Sequence, residues 1–145
     1  MKTWTDEFFI KLCYEIASQS KDDTTKLGAI IVGKHNVIVS TGCNSFPRGA
    51  KDDIPARQQR PEKYLYMAHA EANAVYNAAL LGHSTDGCRI YVPWTPCSNY
   101  AIAIIQSGIN KVICEVSEMP YRWSDSIKAS REMFDEAEIE LKILS

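Results

Sequence analysis

Apolar positions repeat with two different periods along this 145-residue chain. In residues 4–20, WTDEFFIKLCYEIASQS, Trp4, Phe8, Leu12 and Ile16 recur at four-residue steps. Phe9, Cys13 and Ala17 widen that stripe, which predicts an amphipathic helix with Thr5 as its cap. A polar turn, SKDDTTK, follows. LGAIIVG and NVIVSTG are short β-branched runs around Lys34, His35 and Asn36, the pattern of a β-hairpin. Residues 44–61 are the one long irregular stretch, with three prolines, and loops of that length in compact folds usually carry function. Residues 62–82, EKYLYMAHAEANAVYNAALLG, are rich in Ala, Leu and Glu and predict a helix ending at Gly82. CRIYVPW predicts a strand, and PCSNYAIAIIQSG a helix with Pro96 at its start and Gly108 at its end. KVICEV, SDSIKASREMFDEA and EIELKIL complete the series as strand, helix and strand. The order αββαβαβαβ predicts an α/β fold, a mixed sheet with helices on both faces.

Composition narrows the class. The chain has the length of one ordinary domain, residues 1–145, able to bury a core without disulfides. Its 46% hydrophobic and 23% charged residues are those of a globular protein, and runs such as AIAII are far too short to cross a bilayer. No basic segment precedes an apolar one at the start, so no secretory signal is expected. Five unevenly spaced cysteines read as reduced thiols of a cytoplasmic protein. A net charge of -2 argues against a polynucleotide partner, which would want a basic face. No glycine-rich phosphate loop is present.

The chemistry-bearing residues are His69-Ala70-Glu71 and, later, Pro96-Cys97. A His-x-Glu followed by Pro-Cys-x-x-Cys is the signature of the zinc-dependent deaminases. Imidazole and thiolate are good zinc ligands, and a catalytic site keeps one position open for water. Zinc lowers the pKa of that water, and a neighbouring carboxylate carries its proton. A helix N-terminus beside Cys97 is expected to favour the thiolate. Residues two apart on a helix point roughly 200° from each other, so His69 and Glu71 share a site only if the helix begins beside them. A His-x-Glu alone is most often structural, and the pairing with Pro-Cys in this order carries the signal.

The surrounding blocks resemble one family. TGCNSFPRGAKDD, HAEANAVYNAA and PWTPCSNYAIAIIQSGINKVI are similar, in this order, to three blocks of the deoxycytidylate (dCMP) deaminases. The opening residues and the late FDEAEIEL also fit, so the resemblance spans nearly the whole chain. It implies the cytidine deaminase-like fold, a three-layer αβα sandwich around a five-stranded mixed sheet. It implies zinc on His69 and Cys97, Glu71 as the catalytic proton shuttle, and conversion of dCMP to dUMP. Asn44, Arg48, Ala70 and Trp94 are the substrate-binding candidates. Asn44 is assigned to the sugar, Arg48 (with Arg57 and Arg60 as alternates) to the phosphate, and Trp94 to the pyrimidine. A homo-oligomer is implied, with dCTP or dTTP as candidate effector.

Two positions depart from that pattern. Tyr100 stands where the second cysteine belongs, and Cys43 where an aromatic belongs. Three readings stay open: Tyr100 is a phenolate ligand, Cys43 supplies the missing thiolate, or tight zinc binding is lost. Neighbours on a strand point to opposite faces, so Cys43 beside Asn44 can serve only if the strand has ended before it. The rival functions are a catalytically silent nucleotide-binding member of the fold and a deaminase of another base or nucleoside.

Overall fold

The computed structural model describes residues 2–115 and 124–144. Helix α1 (Asp6–Ala17) opens the fold, and the Thr5 hydroxyl accepts from the Phe8 backbone N–H at 3.1 Å as predicted. The buried face of α1 is Phe9, Ile10, Cys13 and Ala17. Leu12 and Ile16 of the predicted stripe pack half-buried against the same cluster, while Trp4 and Phe8 are about half exposed. The hairpin forms as expected, from β1 (Gly28–Val32) and β2 (Ile38–Cys43), around a 3-10 turn over Lys34–Asn36.

The long helix expected over residues 62–82 does not form as one piece. A single turn, α2 (Lys63–Tyr66), is followed by extended backbone at Met67, and α3 runs from Ala70 to Leu80. Local propensity favours continuity, but Ala68 pairs instead with Ser45 across a two-residue antiparallel bridge. Its two N–H to O=C bonds, 2.9 and 3.0 Å, pin the chain out of helical geometry. Then come β3 (Arg89–Tyr91), α4 (Ser98–Gln106), β4 (Lys111–Cys114), α5 (Ser124–Glu136) and β5 (Glu140–Ile143). Strands β3 and β4 are shorter than their apolar runs, and the expected end of β4, Val116, lies outside the described residues.

The sheet order is β2-β1-β3-β4-β5. Strand β1 is antiparallel to both neighbours, while β3, β4 and β5 run parallel. Side chains alternate across a strand. Ile30 and Val32 therefore meet Phe9, Ile10 and Cys13 of α1 on one face, together with Tyr91 and Ile113. Ala29 and Ile31, with Ile90, Val92, Val112 and Cys114, meet α3, α4 and α5 through Ala70, Ala74, Ala101, Ile104 and Phe134. This is the expected three-layer sandwich. Gly42 lets α3 settle onto β2, since a Cβ there would stand 2.3 Å from the Ala74 backbone nitrogen. That close approach fixes the first turn of α3, where the chemistry sits. Among the described residues no helix is long and apolar enough to cross a membrane.

Candidate active site

His69 and Cys97 each occupy the N-cap position of a helix, α3 and α4, with extended backbone. That is the arrangement the 200° argument required: the helix begins between His69 and Glu71, and both side chains line one cleft. The cleft is narrow, with a cavity volume of about 70 Å³. Its lining falls into two chemical groups: His69, Glu71, Trp94, Thr95 and Cys97, and Asp22, Thr25, Asn44, Arg60 and Lys63. Helix α5 braces the segment that carries Cys97. Ser126 Oγ accepts from the Ser98 N–H at 2.8 Å, and Ser130 Oγ donates to the Pro96 carbonyl at 2.6 Å.

Glu71 is 3% exposed, and among the described residues its Oε2 is the buried side-chain oxygen without a hydrogen-bond partner. Burial disfavours its charged form and pushes the carboxyl up to about 7. A carboxyl poised there exchanges protons readily near neutrality. Burial pushes His69 down to about 4, so the imidazole is neutral and can act as a ligand. Cys97 corrects an expectation. Burial, and then the Glu71 carboxylate, raise its thiol, outweighing the Tyr100 and Asn99 N–H groups at the start of α4.

The second group of lining residues is a closed polar network. Lys63 and Asp22 form an ion pair at 2.8 Å, with side chains 5% and 3% exposed. Asp22 also accepts from the Thr24 and Thr25 backbone N–H groups, and Lys63 donates to the Thr24 hydroxyl. Burial alone would raise the Asp22 carboxyl, but Lys63 and those two N–H groups hold it below the ordinary range. Asn44 is tied into the same network. Its Oδ1 accepts from the Leu27 N–H at 2.8 Å, and its Nδ2 donates to the Thr25 carbonyl at 2.7 Å and to Asp22 at 3.4 Å. Both amide hydrogens are thus spent inside the protein, and the oxygen keeps one lone pair for a ligand.

Sequence reasoning read Asp22 as part of a polar turn and Lys63 as a helix residue. The available signal was an Asp followed two and three residues on by Thr24 and Thr25, an Asx-turn pattern. Three expectations are corrected here. Arg48 points away from the cleft: it donates to Asn77 Oδ1 and lines a separate cavity. Ala70 is fully buried in the core and is not among the residues lining the cleft. Cys43 is the last residue of β2, in register with Gly28, so the strand has not ended before it. Alternation then sends Asn44 to the cleft and Cys43 to the Arg48 cavity. Among the arginines offered for a phosphate, Arg57 is held by the Lys51 carbonyl and lies over the Tyr66 ring. Arg60, exposed at the mouth, lines the cleft and donates from Nε to the Tyr64 hydroxyl at 2.8 Å.

A catalytic zinc takes three protein ligands. His69 and Cys97 offer two. Among the described residues no group of three His, Cys, Asp or Glu side chains could hold a metal ion. Tyr100, three residues after Cys97, stacks its ring on His69 with centroids 4.2 Å apart and planes at 25°. Burial, with Cys97 and Glu71 beside it, pushes the Tyr100 phenol up to about 12, and the His69 backbone N–H offsets part of that rise. The described residues therefore do not complete a three-ligand zinc site.

The chain resembles known proteins along nearly its whole length. A family model described as the cytidine and deoxycytidylate deaminase zinc-binding region matches residues 3–116. An uncharacterized deaminase from the luxG 3′ region of Aliivibrio fischeri is 40% identical over 140 residues, 95% of this chain and 91% of that protein. The deoxycytidylate deaminase of Homo sapiens is 38% identical over 138 residues, 90% of this chain and 74% of that one. A crystal structure of the dCMP deaminase of cyanophage S-TIM5, in complex with dCMP and dUMP, aligns over 99% of both chains with a TM-score of 0.79 and 26% identity.

Proposed function

This chain belongs to the cytidine and deoxycytidylate deaminase family, and from that premise we propose that it hydrolyses dCMP to dUMP and ammonia. The observation that carries the reading is the buried Glu71 carboxyl, its Oε2 unpartnered, lining one cleft with His69 and Cys97 at the N-cap positions of α3 and α4. In the reaction a water oxygen bonds to C4 of cytosine and the C4–N bond breaks. Glu71, titrating near neutrality, carries one proton from the water to the ring nitrogen and then the second, from the new C4 hydroxyl, to the amine, which leaves as ammonia. Trp94 walls the base, and stacking of that kind is worth about 1–3 kcal/mol. The free lone pair of Asn44 Oδ1 accepts from the sugar, and the guanidinium of Arg60 meets the phosphate. Arg60 takes the place first given to Arg48. Zinc dependence is part of the proposal, with His69 and Cys97 as the residues that would take the metal.

The same reading makes residues 1–145 one deaminase domain of a cytoplasmic homo-oligomer without a polynucleotide partner, and leaves dCTP or dTTP as candidate effectors. Its support is the family match and the net charge of -2. Turnover of dCMP with excess zinc, followed by dUMP chromatography, tests the activity. We expect product from the native chain and a loss of about 100-fold or more in Glu71→Gln. Binding of dCMP with no product would instead make the protein a silent nucleotide-binding member of the family.

A further inference from the structure

We infer that Tyr100 is a packing residue and not a ligand: its ring, laid on the face of His69, adds no donor to the His69–Cys97 pair and leaves the site without tight zinc binding. The inference rests on the deaminase reading only for the identity of the metal. Residues three apart on a helix share a face, so Tyr100 projects beside Cys97 from the first turn of α4. A short donor side chain at that position would complete a three-ligand set with His69 and Cys97. The longer tyrosine instead reaches across to α3 and lies nearly parallel to the imidazole.

An imidazole binds metal in the plane of its ring, through a nitrogen lone pair. A ring lying over its face makes a packing contact and adds no donor in that plane. Among the described residues no other side chain makes up the deficit. Cys43 faces a different cavity, and among the described residues no third His, Cys, Asp or Glu joins the pair. The rest of the apparatus is intact: Glu71 is buried with an unpartnered oxygen, and both capping positions are formed. The site is therefore altered at one residue. Its metal content follows the zinc supplied, and a single substitution restores it.

The test is a zinc competition on the full-length chain, with Zn2+ and a chromophoric chelator and no nucleotide present. Even outer-sphere partners change metal affinity by up to about 100-fold, so a direct donor is expected to do at least as much. Tyr100→Cys should raise zinc affinity by about 100-fold or more. Tyr100→Phe keeps the stack and removes the oxygen, and its zinc affinity should equal that of the native chain. The inference is overturned if Tyr100→Phe binds zinc more weakly than the native chain, which would make the phenol a ligand. It is also overturned if Tyr100→Cys shows no gain. Because no substrate is involved, failure of the deamination assay leaves both outcomes readable, and either outcome leaves the deamination assay to stand alone.

Discussion

The two groups of residues that line the cleft are built to different standards. In one, Asp22, Lys63 and Asn44 are buried polar groups with named partners, closed into a network by Thr24, Thr25 and Leu27. In the other, Glu71 keeps an unpartnered buried oxygen, and the His69–Cys97 pair meets an aromatic ring where a third donor would serve. A buried polar group without a partner costs about 1–3 kcal/mol. The first group holds the shape of the cleft, and the second keeps its chemistry in readiness at the expense of stability.

The largest expected effect comes from breaking the finished network. Lys63→Met leaves the Asp22 carboxylate buried and unpaired, and should lower the unfolding free energy by about 3–5 kcal/mol in urea melts. Asp22→Asn should do likewise at neutral pH, and it adds a pH signature. The folded-state pKa of Asp22 is depressed, so its contribution is present above the unfolded value near 3.8 and is lost as pH falls through the folded one. The stability gap between native and Asp22→Asn protein should therefore narrow as pH falls below about 3.8. A gap that is constant with pH would remove the ion pair from the account.

Smaller effects sharpen the division of labour in binding. Trp94→Ala should raise the KM for dCMP by about 30-fold, the equivalent of about 2 kcal/mol of stacking, with little change in melting temperature. Arg60→Ala should raise it by about tenfold, for one charged hydrogen bond, and leave the KM for deoxycytidine unchanged. Equal effects on nucleotide and nucleoside would take Arg60 off the phosphate. Arg48→Ala should change neither, since its partner Asn77 lies in another cavity.

The element order and the layers were legible because strand and helix periods are local and long enough to read. So was the geometry at His69 and Glu71: two residues two apart can share a cleft only at a helix start, and α3 starts there. The alternation of Cys43 and Asn44 was legible in the same way. Residues 62–69 were not, because Ala and Leu propensity hides a break that the distant Ser45–Ala68 bridge imposes. Phe8 and Phe9 are adjacent aromatics of one broad predicted stripe, and periodicity alone could not show that Phe9 is buried and Phe8 about half exposed. The Asp22–Lys63 pair joins residues 41 apart, each of which reads in isolation as a solvated charge. Sequence spacing also could not show that the Tyr100 ring would lie on His69, because that contact spans two helices.

The central claim is that the group left unfinished carries out hydrolysis. Ammonia release from dCMP, measured on the native chain across a zinc titration, tests it most directly. The account predicts release that rises with added zinc and disappears in Glu71→Gln under the same zinc. Tight dCMP binding with no ammonia at any zinc concentration would contradict it.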